Sequence, residues 1–117
     1  HRLPRQIGQK QAMGMILTGR RVPAAEGREL GFVNEVVPAA ELMDAARRWA
    51  AQICDLSPMS IRASKEAVYK GLDETSLQAA MAAQMRYPAT SAMLRSEDFK
   101  EGPMAFAQKR PPQWKGR

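Results

Sequence analysis

Proline and glycine divide this chain of 117 residues into short segments, most of which carry apolar residues at helical spacing. Pro23 stands where a helix would begin, and Gly19, Gly31 and Gly71 stand where helices would end. Proline fits a first helical turn because it has no amide hydrogen to leave unbonded, and glycine readily takes the left-handed conformation that closes a helix. The pattern predicts a mainly α-helical chain with short connections, organised as one domain over residues 1–117.

Apolar periodicity and serine or threonine caps predict where the individual helices lie. The predicted segments are residues 9–17, 23–30, 40–55, 58–70 with Ser57 as the cap, one opening at Thr75 or Ser76 that Pro88 kinks or ends, a continuation over 89–94, and a last helix opening at Ser96. Pro103 predicts a break or bend in the last helix, because proline lacks the amide donor that the helix needs there. Phe106 is predicted to face inward.

One short segment is predicted to be a β-strand. Residues 32–37 read Phe-Val-Asn-Glu-Val-Val, which is rich in β-branched residues, and Gly31 and Pro38 bound them. No second segment of this kind is found in the chain. A single strand would therefore need a partner from elsewhere.

Composition narrows the classes of function. The net charge of +6 makes a polyanionic partner conceivable, but aromatic residues are only 6% of the chain and are not interleaved with the basic ones, so no nucleic acid is expected as the natural partner. No apolar run approaches the ~20 residues that span a bilayer, so no membrane partner is expected either.

The scarcity of cysteine and histidine excludes two kinds of site. Cys54 is the single cysteine and His1 the single histidine, which leaves too few ligands for a zinc site and no plausible nucleophile pair. Cys54 lies in an apolar helical pattern and is predicted to be a core thiol of a protein from a reducing compartment. No metal site is expected in this chain.

Acidic and basic residues gather near the end of the chain. Glu97, Asp98 and Glu101 cluster, but solvation or helix capping accounts for such a group as well as acid–base chemistry does. The basic residues that follow could bind phosphate or could be a solvated terminus; they are Lys109, Arg110, Lys115 and Arg117. No phosphate loop, dinucleotide motif or nucleophile elbow is present, and no catalytic residue is predicted.

Several blocks, in order, resemble the C-terminal part of the enoyl-CoA hydratase (crotonase) family. They are Leu3-Pro4-Arg5-Gln6-Ile7-Gly8, Leu17-Thr18-Gly19-Arg20-Arg21, residues 31–38, Ser57-Pro58 with Lys65, and Glu101-Gly102…Ala105-Phe106…Lys109-Arg110. The ending from Ser96 to Arg117, with residues 41–44 and Tyr87-Pro88, is similar to the carnitinyl-CoA dehydratase subgroup. The resemblance extends over all 117 residues.

The resemblance implies a fold and an activity for a longer parent enzyme. It implies a C-terminal helical domain of the crotonase fold, whose parent has an α/β spiral core and acts on 2-enoyl- or 3-hydroxyacyl-CoA thioesters in the cytoplasm. Acyl-CoA is the implied substrate and no further cofactor is implied. Because the family's two glutamates and two oxyanion amides precede the Leu3-Pro4-Arg5 block, this piece alone is expected to be inactive.

The resemblance also implies a binding role for two residues. In the family, the positions matching Phe106 and Lys109 approach the nucleotide end of CoA, often from a neighbouring subunit of a trimer or a dimer of trimers. Core packing is the alternative for Phe106. For the whole chain the alternatives are a purely structural oligomerisation module and, less favoured, a basic nucleic-acid-binding domain.

Overall fold

The computed structural model describes all 117 residues, and it confirms the mainly helical prediction. Eight α-helices are joined by short connections, two of which contain a 3₁₀ turn, at Ala39–Glu41 and Gln84–Arg86. The helices are α1 (Leu3–Ile7), α2 (Gln9–Thr18), α3 (Ala24–Leu30), α4 (Leu42–Cys54), α5 (Pro58–Asp73), α6 (Leu77–Ala83), α7 (Pro88–Leu94) and α8 (Glu97–Ala107).

Contacts along the chain separate it into two compact units, His1–Ala46 and Arg47–Arg117. In the first unit α1 packs on α2. In the second unit α5 packs against α6 and α7, and α8 packs against α5 and α7. The second unit therefore contains the whole acidic and basic C-terminal region. The prediction of one domain over the full chain stays a prediction.

The predicted serine caps and two of the three predicted glycine stops are confirmed. The hydroxyl oxygens of Ser57, Ser76 and Ser96 each accept a hydrogen bond from the backbone N–H three residues later, which satisfies one of the unbonded donors of a first helical turn. Gly19 and Gly31 close α2 and α3 in the left-handed conformation, with φ of 61° and 92°. Polar caps and glycine stops are local features, which is why the sequence located these ends.

The predicted strand over residues 32–37 is wrong. This segment is irregular, and the amides of Phe32 and Val33 donate to the carbonyl oxygen of Gly27, in the middle of α3. A β-strand is held by a neighbouring strand, and the helical chain offers none. The start of this segment therefore folds back onto α3, and the segment is a connection and not a strand.

The predicted stop at Gly71 and the predicted break at Pro103 are also wrong, whereas a bend at Pro103 stays a prediction. Gly71 lies inside α5, which continues to Asp73, and a Cβ at Gly71 would stand 3.7 Å from the Ala80 Cβ of α6. Gly71 thus lies where α5 and α6 pack closely. Pro103 lies inside α8 without ending it, on the exposed side, where its ring projects away from the packed face. It removes one backbone hydrogen bond, and the remaining helical bonds hold the helix.

The buried apolar core is small. It consists of four alanines and Tyr87, and no large side chain is fully buried. None of the residues of α4 is buried, and Cys54 at its end is exposed, so the prediction of a core thiol is wrong. Large apolar side chains instead line exposed faces, including a groove of about 590 Å³ between α5 and α6. None of the helices is long and apolar enough to cross a lipid bilayer.

Candidate functional site

The end of α8 is closed by a Schellman motif with lysine where glycine is usual. The amide of Lys109 donates to the Phe106 carbonyl oxygen at 3.2 Å, and the amide of Arg110 donates to that of Ala105 at 3.1 Å. Lys109 has a φ of 51°, and it is the only residue of the chain other than glycine that has a positive φ. A left-handed residue with a Cβ costs about 1 kcal/mol or more, so the sequence carries local strain at this position.

Phe106 is open to solvent, so the prediction that it faces inward is wrong. Its neighbour Ala105 is 2% exposed and holds the packed position, while Phe106 is 88% exposed. One residue along a helix rotates the side chain by about 100°, so these two neighbours cannot share a face. The exposure also excludes core packing within this chain as the role of Phe106, and it leaves an exposed aromatic ring three residues before Lys109.

Glu101 fixes the chain that follows α8. Its carboxylate accepts two hydrogen bonds from the Arg110 guanidinium, at 2.6 and 2.9 Å, and a third from the Gln113 amide at 2.7 Å. The Arg110 hydrogen bond, followed by that of Gln113, lowers the pKa of Glu101 to about 2. A bidentate pair of this kind orients both partners, so the C-terminal tail (residues 108–117) turns back along α8.

Asp98 anchors the tail from a buried position. It is 3% exposed and accepts hydrogen bonds from the Ser57 hydroxyl at 2.8 Å, the Lys115 amide at 2.7 Å and the Gly116 amide at 3.2 Å. Burial opposes ionisation, but these donors outweigh it and hold the pKa of Asp98 below its usual value. The carboxylate thereby ties together the start of α5, the start of α8 and the tail.

Two further contacts complete the attachment of the tail. The Trp114 indole N–H donates to the Asp55 carbonyl oxygen at 2.9 Å, and its ring lies against Gly102, where an added Cβ would be 3.4 Å from it. The Glu97 amide donates to the Arg117 carbonyl oxygen at 2.7 Å. The tail is therefore bound along its length, and the alternative of a loosely solvated terminus is not what the structure has.

The tail cations differ in whether they are neutralised. Arg110 pairs with Glu101, and both Lys115 and Arg117 pair with Glu97, at 2.6 and 3.1 Å. The hydrogen bond from Lys115 is the main cause that lowers the pKa of Glu97. Lys109 is the remaining tail cation, exposed and without an ion pair.

The acidic cluster suits structural attachment and not proton transfer. Glu97, Asp98 and Glu101 line a cavity of about 310 Å³ together with Lys100 and Lys115. All three carboxylates have lowered pKa values, whereas a general acid or base works best with a pKa near the working pH. No group of three or more His, Cys, Asp or Glu side chains is placed to hold a metal ion.

The sequence did not reveal what the acidic cluster does. Ser57 and Asp98 are 41 residues apart in the chain, and the serine also satisfies its own helix as a cap. One sequence signal was available: acidic residues at the start of α8 are followed by a basic tail that contains two prolines. This signal indicates that the acidic residues pair with the basic ones, but it does not show which residue pairs with which.

Comparison with known proteins identifies the family. A family model described as enoyl-CoA hydratase/isomerase matches residues 1–117. The chain belongs to this family. The resemblance to crotonases read from the sequence is therefore confirmed.

Individual members of the enoyl-CoA hydratase/isomerase family match along the chain. Carnitinyl-CoA dehydratases from Proteus mirabilis and Escherichia coli K12 are 41% and 42% identical over 121 residues, covering 99% of this chain and 45% of theirs. The crystal structure of an enoyl-CoA hydratase from Mycobacterium tuberculosis has a TM-score of 0.89 at 34% identity, covering 99% of this chain and 45% of that one.

A second family structure agrees. That of an enoyl-CoA hydratase from Bacillus anthracis has a TM-score of 0.88 at 38% identity, covering all of this chain and 44% of that one. The chain thus spans somewhat under half the length of these relatives. The helical arrangement described above is accordingly one that full-length family members contain.

Replacing Lys109 by glycine is expected to raise the free energy of unfolding by about 1 kcal/mol, because glycine takes the left-handed conformation without strain. The measurement is urea denaturation followed by circular dichroism. The matched control is Lys100→Gly inside α8, which should lower stability by about the same amount. A loss of stability on Lys109→Gly would show that the lysine side chain supports the fold.

Proposed function

We propose that this chain is the C-terminal part of an enoyl-CoA hydratase or dehydratase that acts on 2-enoyl- or 3-hydroxyacyl-CoA thioesters. In this proposal Phe106 and Lys109 contact the nucleotide end of the CoA moiety, and the exposed helical faces join subunits of a homo-oligomer. The proton-transfer groups belong to the part of the enzyme that precedes the matched region. Family membership supports the activity, and the carnitinyl-CoA dehydratase relatives support a dehydratase in particular.

A single observation carries the CoA contact: an aromatic ring that is 88% exposed lies three residues before an unpaired lysine. An aromatic face can stack on adenine, and an ammonium group can meet phosphate with charge-assisted hydrogen bonds. Exposing such a ring has no benefit for the fold of this unit. The strained backbone of Lys109 supports the same reading, since strain of this kind is retained where a side chain serves a site.

The test is a calorimetric titration of the chain with CoA. Weak binding is expected, because only part of a family site is present, and Lys109→Ala should weaken it about tenfold, the effect of losing about 1.4 kcal/mol. Phe106→Ala should weaken it to a similar degree. Lys100→Ala is the matched control, since Lys100 is exposed on the same helix and should leave the affinity unchanged.

The outcome separates the proposal from its structural alternative. A purely structural oligomerisation module predicts no CoA heat at all, or a heat that Lys109→Ala and Lys100→Ala change equally. Either result would contradict the assignment of Phe106 and Lys109.

A further inference from the structure

Some positive charges of the tail are paired with carboxylates and one is not. Contact with CoA alone does not require this difference. Three of its four cations lie against carboxylates of α8, and the fourth, Lys109, does not. The Arg110–Glu101 pair is the better protected of these, since the Glu101 side chain is only 13% exposed. Glu97 is half exposed and faces Lys115 and Arg117 together.

We propose that Glu97 and Glu101 are specificity-determining residues for the ligand bound at Phe106 and Lys109. Their two negative charges lie against the three positive charges of Arg110, Lys115 and Arg117 and offset most of them, so Lys109 is the tail cation left without a carboxylate, three residues after the exposed Phe106. This arrangement accepts the nucleotide end of a CoA thioester and does not retain nucleic acid. The proposal rests on the CoA contact proposed above.

The physical basis is the way cations bind polyanions. Each lysine or arginine that neutralises a nucleic-acid phosphate releases a counterion and steepens the salt dependence of binding by roughly 0.9 in the log–log slope. A carboxylate within the Debye length of about 10 Å lowers the local positive potential, even where an exposed ion pair adds little stability. In a chain with a net charge of +6, carboxylates placed on these cations oppose nonspecific binding.

The experiment measures binding of the chain to a labelled DNA duplex of about 20 base pairs by fluorescence anisotropy. The KCl concentration is varied from about 50 to about 200 mM, a range over which counterion release changes the affinity strongly. The Glu97→Gln/Glu101→Gln variant should bind about tenfold tighter than wild type at the lowest salt, and its log–log slope should be steeper by roughly 1 to 3, corresponding to the freed cations.

Two matched variants show whether position or net charge is responsible. Glu29→Gln/Asp73→Asn makes the same change in net charge at exposed residues that belong neither to α8 nor to the tail, and it should leave DNA binding within about twofold of wild type. Adding Arg110→Gln, Lys115→Gln and Arg117→Gln to the Glu97/Glu101 variant should restore the wild-type slope, because the cations freed by the first two substitutions are then absent.

The proposal is overturned if the Glu97/Glu101 variant binds DNA like wild type, if the Glu29/Asp73 control binds equally tightly, or if removing the tail cations does not restore the slope. Failure of the wild-type chain to bind CoA would overturn the proposed function instead. The DNA measurements contain no CoA, so the two failures are distinguishable.

Discussion

Replacing Asp98 by alanine is expected to lower the free energy of unfolding of the second unit by about 3 kcal/mol. The substitution leaves the Ser57 hydroxyl and the amides of Lys115 and Gly116 without their acceptor at a site where Asp98 is 3% exposed. Release of the tail into water would limit the loss, because the freed amides can then bond to solvent.

Urea denaturation and amide hydrogen exchange test this expectation together. In the Asp98→Ala variant the midpoint should fall, and the Lys115 and Gly116 amides should exchange much faster than in wild type. Asp73→Ala is the control, since Asp73 is exposed near the end of α5 and should change stability by less than about 0.5 kcal/mol. Unchanged protection of the two tail amides in Asp98→Ala would contradict the anchoring role.

The same attachment gives the tail a defined acid sensitivity. Folding lowers the pKa of Glu101 from 4.5 to about 2, so the folded state favours the ionised carboxylate. This contribution to stability is complete above the ordinary pKa and is lost as the pH falls from about 4.5 towards 2. Asp98 acts in the same direction, since its pKa is also lowered in the folded state.

The second large effect concerns self-association, which follows from the proposed oligomeric role. Val68, Leu72, Leu77 and Met81 line the groove between α5 and α6 and are between 60% and 78% exposed. Exposed apolar patches of this kind are common at contacts between proteins, and the proposed oligomer would cover this one. The wild-type chain should therefore sediment as an oligomer, and Val68→Glu/Leu77→Glu should convert it to a monomer by placing charges in the groove.

Sedimentation velocity at several concentrations provides the measurement. Ser64→Glu/Gln78→Glu adds the same charge to the same two helices at exposed positions that do not line the groove, and it should remain associated. A wild-type chain that stays monomeric at high concentration would contradict the oligomeric role. If the Val68→Glu/Leu77→Glu variant stays associated, the contact between copies does not involve the groove between α5 and α6.

Local features of the sequence were sufficient to locate most helices. Ser57 and Ser96 cap α5 and α8 where predicted, because a cap depends on residues within one turn. The strand over 32–37 could not be judged locally, since β-structure depends on a partner segment. Gly71 was misread because close packing against α6 overrides its preference to end a helix. Pro103 does not break α8 because it removes one backbone hydrogen bond and the others hold the helix.

The candidate site was only partly accessible to sequence reasoning. Phe106 and Lys109 were selected through family resemblance, and the orientation of Phe106 was predicted wrongly because Ala105 takes the packed position. The roles of Asp98 and Glu101 depend on contacts with Ser57, Lys115 and Arg110 that only a folded chain brings together. A list of charged residues could not distinguish attachment of the tail from catalysis.

The position of Trp114 gives the molecule an intrinsic optical reporter. Its indole is hydrogen-bonded to the Asp55 carbonyl and lies against Gly102 only while the tail is seated on α8. Detachment would move this fluorophore into water and shift its emission to longer wavelength. With Trp49 replaced by phenylalanine to remove the other indole, the docked and released populations can be followed in real time without an attached dye.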